Sequence, residues 1–263
     1  MKRGLVIGTW VLIIAAAMVL LGFVRASNQE SICWKLDIDI SHQDQVLFVS
    51  ETLLRQQIAE QMGTLEGTAM TSIQSEGIRQ IVLNNPGVSD AIVHKTLDGR
   101  VHVEAHQRAP LCRIMNADGS GFYLDKEGWI IPLSSRYTAH VPVFLGALHE
   151  SPKALCVEQL ERDEQLDQTY LDEILKVANY VQENEFLSAL ADHFWIGKNG
   201  DFVMIPRIGD HEIVIGEVTD LNKKMKKLEA FYSKTVNKTN LNKYQTINLK
   251  FRDQVVCTRK PWQ

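Results

Sequence analysis

Few side chains in this chain of 263 residues stand at spacings that do chemistry. The strongest metal-like set is His102-Val103-Glu104-Ala105-His106. On a strand these alternate residues share a face but lie about 7 Å apart. His102, Glu104 and His106 are then too far apart to hold one ion without a ligand from elsewhere. The same pattern is the solvated face of an amphipathic strand whose buried face is Val101, Val103 and Ala105. Asp118-Gly119-Ser120-Gly121 has the glycine content of a phosphate loop, but no helical pattern follows, so a hairpin turn is expected. Asp125 and Glu127 are an acid/base pair only in composition; two apart beside Gly128, they read as turn residues. Lys223, Lys224, Lys226 and Lys227 are basic enough to meet nucleic acid or anionic lipid. Without interleaved aromatics they read as the solvated face of a helix. Asn237-Lys238-Thr239 fits a glycosylation sequon, a three-residue pattern.

Other chemistry is missing at the level of motif. There is no P-loop, no GxGxxG after a strand, no GxSxG and no HExxH. None of the four cysteines is in a CxxC pair, so neither redox nor zinc chemistry is indicated. No catalytic residue, cofactor, metal or small-molecule substrate is expected. The 28 basic and 32 acidic side chains give a net charge of −4, without the basic excess of a nucleic-acid binder. Hydrophobic residues at 45% and charged residues at 23% are ordinary globular composition, which excludes wholesale disorder.

The elements that would position these residues fall into two groups. Cys33 to Ile40 alternates Trp34, Leu36, Ile38 and Ile40 against polar neighbours and predicts a strand. Ser50 to Met62 repeats Leu54, Ile58 and Met62 at every fourth position, with Ser50 as N-cap and Gly63 as stop. A second helix is predicted over Ser75 to Leu83. Val88 to Thr96 and Arg100 to Arg108 form a hairpin around Leu97-Asp98-Gly99. This β-α-α-β-β order makes a compact domain of one small sheet and two helices. After Arg108-Ala109-Pro110 the chain turns to short strands: 111–116, 121–124, 129–132 and 141–146. Residues 150–167 read as a charged loop or loose helix. Thr169 to Asn184 is an amphipathic helix. Strands follow at 193–196, 202–206 and 211–215, the first two joined at Asn199-Gly200. Asp220 caps a helix holding Leu221, Met225, Leu228 and Tyr232 inside. Tyr244 to Cys257 predicts one closing strand.

The first residues are different. Leu5 to Val24 is twenty residues without a charge. A helix of that length spans about 30 Å, the hydrocarbon thickness of a bilayer. Lys2 and Arg3 precede it, which favours an N-terminus inside. A cleaved signal peptide is the alternative, but the apolar run is long for one and Val24-Arg25-Ala26 is a poor cleavage site. Either way residues 25–263 are expected outside the cytoplasm. All four cysteines then lie where disulfides are possible. Cys33 and Cys112 are expected as buried free thiols; if any pair bridges, Cys112 with Cys156 is the better placed.

This order of elements resembles the FtsQ/DivIB division proteins of bacteria. Val88 to Val93 (VSDAIV) followed by Arg100 to Pro110 (RVHVEAHQRAP) is similar to the family's junction between domains. Phe122 to Ser134 (FYLDKEGWIIPLS) is similar to its D-x-x-G hairpin, Val141 to Gly146 (VPVFLG) to the stretch that follows, and Ile247 to Val256 (INLKFRDQVV) to its closing strand. The chain departs from the pattern at Asp37 to Ser41, where a V-x-G is usual, at Gly87 in place of Trp, and at Asn248 in place of an acidic residue. The resemblance implies an α+β fold: a cytoplasmic N-terminus (1–4), a single transmembrane helix (5–24), a linker (25–32), a POTRA-type βααββ domain (33–109), a larger mixed β domain with two or more helices (110–257) and a tail (258–263). It implies a non-enzymatic scaffold of the division complex, in the bacterial inner membrane at the septum. The bulk of the chain would be extracytoplasmic and would bind FtsB/DivIC-like and FtsL-like partners.

Rival readings are a POTRA-containing envelope assembly or chaperone factor, and an anchored envelope hydrolase. The first ends in a barrel of many amphipathic strands, for which too little helix-free chain remains. The second needs a nucleophile or paired acid and base, and none is found. The closing strand is the expected partner site, because a last strand near a sheet edge exposes unpaired N–H and C=O groups. Its residues Ile247, Leu249, Lys250, Phe251, Asp253 and Val255 are the candidates. Lys250 would meet a partner carboxylate, with Phe251 and Val255 forming an apolar patch beside it.

Overall fold

In a computed structural model the described residues are 10, 12–19, 31–41, 48–134, 137–150, 156–157, 169–235 and 241–261. They form two compact units, divided between Gln107 and Arg108.

The first unit follows the hydrophobic pattern closely. Strand β1 (Lys35–Ser41) leads to helix α1 (Glu51–Met62) and helix α2 (Ser75–Leu83). Strands β2 (Val88–Lys95) and β3 (Arg100–Gln107) close it. Ser50 caps α1 by accepting from the Leu53 N–H, one of the donors a helix start leaves open. Gly63 ends α1 at φ 78°, a conformation that costs a glycine little. The sheet order is β1-β3-β2, with β1 parallel and β2 antiparallel to β3. Leu36 and Ile38 of β1 and Val101, Val103 and Ala105 of β3 are buried against Leu54 and Ile58 of α1 and Ile78, Ile81 and Val82 of α2. The opposite face is left to polar side chains and the exposed Ile92.

The second unit is built on a sheet of nine strands. These are β4 (Pro110–Met115), β5 (Gly121–Asp125), β6 (Ile130–Pro132), β7 (Val143–Gly146), β8 (Ala191–Ile196), β9 (Phe202–Pro206), β10 (Glu212–Gly216), β11 (Tyr244–Asn248) and β12 (Val256–Arg259). Their order is β12-β11-β10-β9-β8-β7-β4-β5-β6, so β12 and β6 are the two edges. Helices α3 (Leu171–Glu183), α4 (Glu185–Leu190) and α5 (Leu221–Thr235) supply the rest of the core. Ile174, Val177 and Val181 of α3 and Met225, Leu228 and Tyr232 of α5 join Ile114, Phe122, Phe144, Phe194, Met204, Ile213 and Ile247 of the sheet. Phe144 and Phe194, paired in register on β7 and β8, stack at 4.5 Å.

Two expectations are corrected. No helix among the described residues is long and apolar enough to cross a membrane. This overturns the transmembrane helix expected over 5–24. Helix is described there at 10 and over 12–19; eight residues cover about 12 Å, less than half of a hydrocarbon core. The rest of that span and linker residues 25–30 lie outside the described residues, as do the sequon at 237–239 and most of the charged stretch 150–167. Second, the single closing strand is two strands, β11 and β12. Helix α4 falls where the sequence pattern assigns no element; it starts directly after α3 at Asn184, whose side chain accepts from the Leu187 N–H.

The cysteines are free: Cys33 and Cys112 are buried, while Cys156 and Cys257 are partly exposed. Burial pushes the thiol pKa of Cys112 far up, which makes it a poor nucleophile.

Candidate functional site

The region that sequence reasoning pointed to, residues 244–257, is shaped by a break in alternation. Ile247 and Leu249 point inward and are fully buried. After them Asn248 turns the chain: its Oδ1 accepts from the Lys250 N–H at 2.9 Å. Arg252-Asp253 then forms a bend, and the chain returns as β12, antiparallel to β11. The carbonyls stranded in this turn are gathered by one ammonium. Lys227 Nζ of α5 donates to Leu249 O at 3.0 Å, to Phe251 O and to Arg252 O at 3.4 Å.

The lysine run on α5 is therefore more than a solvated face. Lys227 holds the turn, Lys224 Nζ donates to Glu217 O at 2.7 Å, and Lys223 pairs with Asp220 at 2.8 Å. Desolvation lowers the Lys224 pKa, and the hydrogen bond to Asp220 raises that of Lys223.

Lys250 is anchored in the same way. Its Nζ lies 2.7 Å from Asp201 Oδ2, and this bond holds the Asp201 carboxyl below the usual carboxylate range. Its stem crosses Gly216, where φ is 74° and a Cβ would stand 2.7 Å from Lys250 Cγ. Lys250 and the lysines of α5 line an open groove of about 450 Å³. Five cations line it, Lys223, Lys224, Lys227, Lys250 and Arg252, against three carboxylates, Glu217, Asp220 and Asp253. Phe251 stands in its wall, 45% exposed.

The expected site residues thus separate into two kinds. Ile247 and Leu249 are fully buried core residues, and Leu249 also lines the groove. Lys250, Phe251 and Asp253 line the groove, and Val255 is half-buried against the core. Sequence reasoning missed Arg252 and the separate edge strand β12. The signal was present in Arg252-Asp253, a charged pair that interrupts the alternation.

The other singled-out residues find structural roles. Asp125 Oδ1 accepts from the N–H groups of Glu127 at 2.9 Å and Trp129 at 2.8 Å, which makes it a turn residue. Its Oδ2 meets Arg108 Nη1 at 2.7 Å in a buried ion pair, and the guanidinium lies over the Trp129 ring at 4.2 Å. Asp118 closes the 117–120 turn on Ser120. Among the described residues no three His, Cys, Asp or Glu side chains are disposed to enclose an ion.

A family model described as FtsQ/DivIB, C-terminal related, matches residues 109–258, more than half of the chain. The chain belongs to the FtsQ/DivIB family. A POTRA-like domain model matches residues 31–106, the βααββ unit with its β1-β3-β2 sheet. No curated protein matches the chain. Both domains suggest a scaffold role in cell division, with protein partners in the division complex. The FtsQ/DivIB family is generally non-enzymatic, and membership implies association with the membrane at the division site.

Proposed function

We propose that this FtsQ/DivIB-family chain is a non-enzymatic scaffold of the division complex that binds FtsB/DivIC-like and FtsL-like proteins, with β12 and its neighbouring groove as the docking site. The carrying observation is the contrast between the two sheet edges. Strand β6 is three residues long and ends in Pro132, and Ile130 and Ile131 are buried. Short, proline-ended strands are poor templates for pairing. Strand β12 carries no proline, and Val256, Thr258 and Arg259 are exposed. A partner strand laid along β12 would gain main-chain hydrogen bonds, and an acidic segment beside it would meet the cations of the groove.

The test is Arg259→Pro. Lys260 N donates inward to Lys243 O at 2.9 Å, so by strand alternation the Arg259 N–H points away from the sheet. Proline there leaves the ladder to β11 intact and removes an outward donor. The variant folds normally and binds the FtsB/DivIC-like partner at least about tenfold more weakly, a loss of about 1.4 kcal/mol. Wild-type affinity in a folded Arg259→Pro protein removes β12 from the interface.

A further inference from the structure

The face of the three-stranded sheet turned away from α1 and α2 gathers titratable side chains in register. One row runs Asp37, His102, His94 across β1, β3 and β2. The next runs Asp39, Glu104, Ile92, and the third Ser41, His106, Asp90. The sequence displays only the histidines along β3, which are too widely spaced to share an ion. Antiparallel pairing with β2 supplies what the sequence hides: His94 stands directly across from His102, their ring centroids 4.9 Å apart and their planes inclined at 50°.

That spacing suits chelation. Directly opposed residues of an antiparallel pair have Cβ atoms about 4.5–5.5 Å apart. An imidazole nitrogen binds a late transition metal at about 2.0–2.1 Å. Two histidines rooted side by side can therefore turn one ring nitrogen each onto a common ion above the sheet. Both are accessible: His94 is exposed and His102 half-exposed. Asp37 flanks His102 on the side away from His94, the place from which a carboxylate receives the second ring N–H of a metal-bound histidine. Its Oδ1 accepts from Lys35 Nζ at 3.1 Å. His106 is two rows away, with Glu104 at 3.7 Å. Two imidazoles fill only part of a coordination sphere, so water completes it.

We propose that His94 and His102 form an open two-histidine site for a divalent late transition-metal ion, with Asp37 as the carboxylate behind His102. Imidazole ligands suit Cu2+, Ni2+ and Zn2+, and Cu2+ binds most tightly of these. Such an ion would tie β2 to β3 on the polar face of the POTRA-like unit.

The experiment is a Cu2+ titration of the full-length chain, followed by calorimetry and by electron paramagnetic resonance. The wild type takes up one ion in a site with two imidazole nitrogens. His94→Ala and His102→Ala each leave a one-nitrogen signal and weaken binding by at least about tenfold, a loss that even an outer-shell partner can bring. His106→Ala and His193→Ala bind as the wild type does. Circular dichroism checks each fold, which these surface side chains do not support. Unchanged binding in His94→Ala or in His102→Ala overturns the assignment, and so does an equal loss in His106→Ala.

Discussion

The ion pair of Arg108 and Asp125 is the point where one substitution should cost the second unit most. Asp125→Ala removes three acceptor contacts at once: the 2.7 Å bond from Arg108 Nη1 and the bonds from the N–H groups of Glu127 and Trp129. The guanidinium left behind is 8% exposed and already has an unbonded Nε. Breaking a buried pair by deleting one partner costs about 3–5 kcal/mol, because the other charge stays buried. The two amide donors are only part-buried and regain water, so they add at the low end, about 1 kcal/mol together. The expected total is about 4–6 kcal/mol, against about 5–15 kcal/mol for the whole stability of a domain. Asp125→Asn keeps an acceptor for both amides and loses only the charge, so it should cost less. Arg108→Met with Asp125→Leu removes both charges and should cost less than Asp125→Ala alone. Urea unfolding of the full-length chain, with the transitions of the two units fitted separately, measures all three. A cost below about 1 kcal/mol for Asp125→Ala, or a double variant no more stable than it, refutes the reasoning.

Two further perturbations probe the supports of the proposed docking edge. His211 is buried at the start of β10, its Nε2 2.6 Å from Tyr232 Oη, and burial, then Lys260, lowers its pKa. As pH falls through the ordinary histidine value of about 6.5, the unfolded chain takes up a proton that the folded chain refuses. Stability is therefore full above that pH and declines below it, and urea midpoints at neutral and mildly acidic pH should show a drop that His211→Gln reduces. Gly216→Ala forces a positive φ on a residue with a Cβ and pushes that Cβ into the Lys250 stem. It should cost about 1–2 kcal/mol and separate Lys250 from Asp201. Carboxyl resonances would then show the Asp201 pKa rising toward its ordinary value; an unmoved Asp201 would contradict the packing.

Periodicity made most elements of the fold legible. The every-fourth-residue repeat of Leu54, Ile58 and Met62 gave α1, and Ser50 and Gly63 gave its ends. Alternation gave β3 and β9, and Asn199-Gly200 gave the turn between β8 and β9. What stayed hidden was long-range or short. No local pattern states that β1 pairs parallel with β3, or β10 with β11, because those registers are fixed by the cores they close. Helix α4 has six residues, fewer than two turns, and leaves too little periodicity to read beside α3. The apolar run at the N-terminus read as a membrane span because its length and composition satisfy that test, yet the helix described within it is too short to cross.

The same limit explains what happened at the β11–β12 edge. Alternation of Ile247 and Leu249 runs on to Phe251 and Val255, so the sequence reads as one strand. Alternation reports which side chains face inward; it carries nothing about where the backbone turns back. In the structure Lys227, twenty-odd residues earlier in the chain, collects the carbonyls of residues 249, 251 and 252 and stabilises the turn. Lys250, foreseen as a cation held out for a partner, already has a carboxylate in Asp201. Under the proposed function, an acidic partner segment must then compete with Asp201 for Lys250, or use Arg252 and Lys223 instead. Asp201→Asn distinguishes the two. It frees Lys250, so binding tightens if the partner takes that ammonium, and stays level if the partner meets the other cations of the groove.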